Sequence, residues 1–258
     1  MPGNVTQRMP FRPFNTVLVP VVNGDPRTDA LDAAIMIARR VVLVGLVRVE
    51  SDEIMSTGAT AARDLRLHLQ EMAQETGIIV HAQVYANTAP WLDLFRVAAE
   101  MKPDLLLLDW DTHLSILGLT TSDVLDNPPC NVALLRGALP LEIDQILLPL
   151  RGGPHAELVT RLGLSFRLAK PVVLHLQTHV TGDHSGGVQD APFRGLQQVL
   201  PQLRGVETRI VVDDDIAQGI VDASQGFDLL IMGATGHPLG EPSSLGRVPD
   251  HVLRSTTL

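Results

Sequence analysis

The sequence predicts an α/β protein made of two tandem, doubly wound domains, each built on a parallel five-stranded sheet. Two observations carry this reading. First, the chain says nearly the same thing twice. Phe14-Asn15-Thr16-Val17-Leu18-Val19-Pro20 returns as Ile143-Asp144-Gln145-Ile146-Leu147-Leu148-Pro149, and Pro103-Asp104-Leu105-Leu106-Leu107-Leu108 returns as Phe227-Asp228-Leu229-Leu230-Ile231-Met232. The offsets are 129 (149 minus 20) and 124 (228 minus 104). A near-constant offset over that distance marks two copies of one domain, not a solenoid of short repeats. Second, short uncharged apolar runs alternate with segments of helical period, the pattern of a parallel sheet covered by helices on both faces. At 258 residues each copy has room for its own core.

In the first copy, Thr16–Val22 is a β-branched and leucine run that reads as a buried strand. Asn23-Gly24-Asp25-Pro26 is a turn. Thr28–Arg39 places Leu31, Ala34, Ile35 and Ala38 at the spacing of one helix face, with Met36 counted among the core residues. Val41–Val49 is a strand, and Ser51–Thr60, polar and glycine-containing, predicts a mobile loop. Ala61–Glu75 reads as a helix, Ile78–Tyr85 as a strand, and Pro90–Met101 as a helix started by Asn87 or Thr88. Leu105–Leu108 is a strand, Ser122–Leu125 a short helix and Asn131–Leu135 the last strand.

The second copy repeats the order after a linker, Arg136–Glu142. Its strands are Gln145–Leu150, Val172–Leu176, Glu207–Val212 and Leu229–Met232; its helices lie near His155–Leu168, Phe193–Leu203, Ile216–Ser224 and Val248–Leu253. Leu162, Phe166 and Met232 are core residues by spacing. Thr178–Pro192 contains glycine and histidine and reads as a disordered or lid-like segment. The sequence stops at Leu258, where a fifth strand is due. A missing strand would leave an apolar sheet edge open, so a chain cut before that strand is the expectation. The domain boundaries are 14–137 and 143–258.

Composition narrows the function. The net charge of −9 divides evenly: residues 1–140 carry 11 basic and 16 acidic side chains, and residues 141–258 carry 9 and 13. Neither half offers the basic face that binding a phosphate backbone requires, and 3% aromatic content leaves few stacking platforms, which argues against nucleic acid. One cysteine, Cys130, forms no internal disulfide, which suits a reducing compartment. Residues 1–14 lack the apolar core of a signal peptide. The longest apolar stretch, Val41–Val47, falls far short of the ~20 residues that span a bilayer. A soluble cytoplasmic protein without membrane insertion is the expectation; a soluble piece of a larger membrane protein is the alternative.

The chemistry concentrates after two strands of the second copy. Gly233-Ala234-Thr235-Gly236 follows the fourth strand, and Gly246 opens the last helix. Glycine lets a backbone approach an anion closely, and a helix amino terminus supplies free N–H groups and the positive end of a dipole. Arg151-Gly152-Gly153-Pro154, after the first strand, also opens a helix. In a doubly wound sheet these two loops flank the switch point where ligands lie.

These features together, two alternating strand–helix copies, an apolar first strand ending in Pro, and Gly-x2-Gly-x9-Gly after the fourth strand, resemble a tandem universal stress protein over residues 14–137 and 143–258. The resemblance implies an adenine nucleotide alpha hydrolase-like fold and binding of ATP, with Mg2+ as its companion ion. It places Gly233, Gly236, Gly246 and the backbone of Arg247 and Val248 at the phosphates. It places Leu150 and Arg151, followed by Gly152 and Gly153, by the base or ribose. It also implies an intramolecular pseudo-dimer and admits a homo-oligomer. The chain departs from the family pattern in two places: Leu150-Arg151-Gly152 stands where ATP binders have Asp, and Arg247 stands where they have Ser or Thr. The arginine either pairs ionically with phosphate or is simply solvated.

In the first copy the equivalent loop is Asp109-Trp110-Asp111-Thr112-His113, with Gly118 near the third glycine position. Two carboxylates facing a triphosphate in a poorly solvated crevice repel it, so this site is expected to be dead for ATP. Asp-x-Asp is a weak metal signal, and helix capping is the structural reading. His175, His179 and His184 lack the accompanying ligands of a metal centre. Asp213-Asp214-Asp215 reads as a helix cap, and Cys130 as a buried, inert thiol.

No nucleophile–base–acid arrangement is legible, so neither a catalytic residue nor a metal ligand is assigned, and at most slow ATP hydrolysis is expected. The function read from the sequence is a stress-response or regulatory protein that binds ATP in the second domain. The alternative is a nucleotide-free interaction module associated with a transporter.

Overall fold

A computed structural model describes residues 14–22, 28–50, 55–75, 78–110, 121–126, 128–150, 155–166, 169–177, 203, 205–234 and 245–258. Its elements run β1 (Phe14–Val22), α1 (Asp29–Ile37), β2 (Ala38–Arg48), α2 (Met55–Glu75), β3 (Ile79–Asn87), α3 (Pro90–Met101), β4 (Leu105–Asp109), α4 (Thr121–Asp126) and β5 (Val132–Leu135). They continue with β6 (Gln145–Pro149), α5 (Ala156–Ser165), β7 (Lys170–Gln177), β8 (Glu207–Val212), α6 (Ile216–Ala223), β9 (Leu229–Leu230) and α7 (Arg247–Ser255). Two sheets result: five strands ordered β3-β2-β1-β4-β5 and, among the described residues, four ordered β8-β7-β6-β9. Every pairing among the described residues is parallel.

The core follows from strand parity. On β1, Val17, Val19 and Val21 face α1 and α2, while Leu18 faces the opposite cluster with Leu94 and Val97 of α3. On β6, Ile146 and Leu148 meet Ala156 and Val159 of α5, while Leu147 meets Ala217 and Ile220 of α6 and Val252 of α7. Strands buried on both faces need no polar alternation, which is why these runs carry no charge.

The two sheets are built with one register. Val17 and Leu18 pair with Leu105 and Leu106; their counterparts Ile146 and Leu147 pair with Leu229 and Leu230. The same anchor recurs as well. Asp104 Oδ2 accepts the N–H groups of Asn15 and Thr16, each at 2.9 Å, and Asp228 Oδ2 accepts those of Asp144 and Gln145, each at 2.9 Å. The copies also touch. Leu158, Leu162 and Phe166 pack against the first copy's core, and the Arg161 guanidinium lies 4.6 Å over the Phe14 ring and 3.9 Å from Asp104 Oδ1.

Four expectations need correction. The segment Ser51–Thr60 is not wholly a loop, because α2 begins at Met55. Its stripe of Ala62, Leu65, Leu69 and Met72 propagates back through Gly58, where an added Cβ would stand 2.5 Å from Val49 Cγ2. The glycine that suggested a loop is what lets the helix lie against β2. Met36 is 42% exposed rather than in the core, because α1 buries Ala30, Leu31, Ala33, Ala34 and Ile37 instead. The helix also stops two residues early, since Ala38 is already extended and pairs with Phe14. The fourth strand of the second copy is shorter than read, although Ile231 N–H still donates to Leu147 O at 3.0 Å. The expected helix at 193–202 and the segment 178–192 lie outside the described residues.

Candidate nucleotide site

In each sheet the chain first crosses to one side of the opening strand and later returns to the other, so the switch points lie between β1 and β4 and between β6 and β9. Ligands of doubly wound folds lie at the carboxyl ends of strands at such points. The two copies differ there. Beyond β4 stands Asp109, whose Oδ1 accepts the Ala30 N–H at 2.7 Å. Ala30 is in the first turn of α1, where N–H groups have no helical partner and the dipole is positive. Thr28, the cap residue, takes the Leu31 N–H at 3.1 Å. The first copy therefore carries a carboxylate of its own where an anion would bind.

At the equivalent position of the second copy stands Gly233, with no side chain. It lies against the start of α5: a Cβ at 233 would come 3.1 Å from His155 Cβ and 3.9 Å from Val159 Cγ2. A side chain here would crowd this approach of strand tip and helix start. His155 occupies the cap position of α5 and makes no side-chain capping bond. It lies against Gly233, and reading the sequence missed it because it looked only like the beginning of a helix.

The third glycine, Gly246, has φ 86° and ψ 162°, backbone that is essentially reserved to glycine. It turns the chain into α7, whose first residues are Arg247, exposed, and Val248, half-buried. Pro249 has no N–H, so the first turn of α7 presents the amides of Arg247 and Val248. Among the described residues Arg247 makes no ion pair. Leu150 is committed elsewhere: its side chain is buried with Ala156 and Val159, its N–H donates to Leu174 O at 3.0 Å, and its carbonyl lies 3.3 Å from His175 Nδ1. Arg151, Gly152, Gly153 and Gly236 lie outside the described residues, as do Asp111, Thr112, His113 and Gly118.

The remaining candidates have structural positions. Asp215 caps α6, its Oδ1 taking the N–H groups of Ala217 and Gln218, each at 3.1 Å, while Asp213 Oδ1 takes the Asp215 N–H at 2.9 Å. His175 is buried in β7, whereas His179 and His184 lie outside the described residues. Among the described residues no three metal-ligating side chains gather. Cys130 is half-buried rather than fully buried, and this desolvation pushes its thiol up to about 11, so it is protonated near neutrality. No described helix is long and apolar enough to cross a membrane.

No family model matches the chain. Its structure is similar to the crystal structure of a universal stress protein from Archaeoglobus fulgidus, with a TM-score of 0.66 over 96% of this chain and 95% of that one at 13% identity. It is likewise similar to a putative universal stress protein from Pseudomonas aeruginosa, with a TM-score of 0.58 over 94% of this chain and 90% of that one at 16% identity. In sequence it is 25% identical to the Na(+)/H(+) antiporter NhaS5 of Synechocystis sp.. That match takes in 99% of this chain but spans only 39% of the antiporter. The duplicated registers and these solved relatives agree: the chain has the universal stress protein fold, α/β with parallel sheets.

Proposed function

We propose that the second copy binds ATP at the switch point between β6 and β9 and that the first copy does not. The observation that carries this is the contrast at one rung of two matched sheets. Gly233 adds no charge or bulk, while Asp109 fills the helix end opposite it. In this reading the amides of Arg247 and Val248 receive the terminal phosphates, and the Arg247 guanidinium adds an ionic contact in place of the family's hydroxyl. The resemblance adds Gly236, Arg151, Gly152 and Gly153 to the residues that would hold the nucleotide, and Mg2+ would offset its phosphate charge. The adenine preference rests on the likeness to universal stress proteins.

Binding serves as a signal, with turnover far below the ~1–10³ s⁻¹ of ordinary enzymes. The matching stretch of a Na(+)/H(+) antiporter favours a regulatory role attached to ion transport. The same match supports a second reading, a nucleotide-free module acting on a transporter through protein contacts.

Mass spectrometry of ligand released from purified protein, followed by thermal-shift titration with ATP, GTP and triphosphate, separates the two. The nucleotide reading expects ATP to raise the melting temperature most and Arg247→Glu to abolish the rise. Equal melting temperatures with and without millimolar ATP support the nucleotide-free module.

A further inference from the structure

We infer that α7 couples the nucleotide site of the second copy to the first copy, with Arg136 as the receiving group; this rests on the ATP reading above. The helix is nine residues, about 13 Å long, and its two ends meet different parts of the molecule. Its amino end carries the Arg247 and Val248 amides. Its carboxyl end is held by the first residue of the linker, directly after the first copy's last strand: Arg136 Nη1 donates to the carbonyls of Leu253 at 2.6 Å and Thr256 at 3.2 Å. Arg136 follows β5 directly, and the carbonyl of its neighbour Leu135 accepts the Trp110 N–H at 2.5 Å. Trp110 in turn follows Asp109, which caps α1. A chain of bonded groups thus runs from the carboxyl end of α7 to the degenerate site of the first copy. Trp110, Arg136, Leu253 and Arg254 also line one open cleft at this seam.

The electrostatics give the coupling its sign. An anion at a helix amino end and a cation at its carboxyl end both favour the ordered helix. Phosphate at Arg247 and Val248 and the guanidinium of Arg136 therefore strengthen one another. The helix is open to such influence because its own hold on the core is thin: Pro249 and Val252 are its buried residues. By linkage the effect is reciprocal, so removing Arg136 weakens a ligand it does not touch.

The chain has two tryptophans, and Trp91 lies in α3 against Phe95, so Trp91→Phe leaves Trp110 as the reporter at the seam. In that background MgATP is titrated by calorimetry and by tryptophan emission. The expected result is an emission change on binding. Arg136→Ala should lose that change and bind about threefold to tenfold more weakly. Arg136→Lys, which keeps the cation, should recover part of both. Full affinity and an unchanged Trp110 response in Arg136→Ala would overturn the coupling while leaving the ATP reading intact. Absence of binding to the Trp91→Phe protein and to the wild type alike would overturn the ATP reading and the coupling with it.

Discussion

Asp109 and Gly233 hold the same rung of two sheets built alike, and in the proposed function this residue decides what each switch point accepts. A carboxylate that takes a first-turn amide replaces an external anion with one that never leaves. Asp109→Ala should therefore cost about 1 kcal/mol in urea unfolding, the usual loss for a cap. Asp109→Asn, which keeps an acceptor oxygen, should cost distinctly less, and an equal loss in both would show that the bond to Ala30 carries no stability. Cys130 gives a second test at this scale. Burial is the largest cause of its raised pKa of about 11, so the folded chain holds this proton more tightly than the unfolded chain, whose thiol titrates near 9. The stability this contributes is present below pH 9 and falls as pH rises from about 9 to about 11. Cys130→Ser should flatten stability across that window. Fast alkylation of the native thiol at pH 8 would contradict its raised pKa.

Each sheet is pinned by one aspartate that bonds two consecutive amides where its first strand begins, Asp104 for β1 and Asp228 for β6. Charge-assisted bonds are worth more than neutral ones, so Asp104→Ala and Asp228→Ala should each cost about 1–3 kcal/mol in denaturant unfolding. A variant with no loss would reduce that anchor to coincidence. These aspartates were visible in the sequence as members of the repeat, but their partners were not, because pairing across the sheet depends on register. Elements whose signals are local were legible: α3 runs from Pro90, a good first helical residue, to Met101, as its periodicity indicates. Signals decided by packing misled. Gly58 looked like a loop until Val49 was found against it, and Met36 looked like core until the small residues of α1 claimed the buried face. In the candidate site, Gly233 and Gly246 were legible as members of a spaced glycine motif, and Gly246 holds the positive φ that glycine permits. The place of His155 beside Gly233 was not, since it follows from the approach of α5 to β9.

At the scale of the molecule, the duplicated sheets are joined by contacts that cross from one copy to the other. Leu158, Leu162 and Phe166 of α5 and the residue after it bury against the first copy's core, with Arg161 stacked on Phe14 beside them. A charge placed in that seam should separate what now unfolds together. Leu162→Glu is expected to split a single denaturation transition into two, followed by fluorescence and circular dichroism. One unchanged transition would mean that the copies do not stabilise each other. In the proposed function, the first copy takes no nucleotide and the second copy, packed against it, binds one. Calorimetric titration of the intact chain with MgATP tests that claim most directly. The account predicts one site per chain, lost in Arg247→Glu and kept in Asp109→Asn. No heat at millimolar nucleotide, two sites per chain, or binding that survives Arg247→Glu would contradict it.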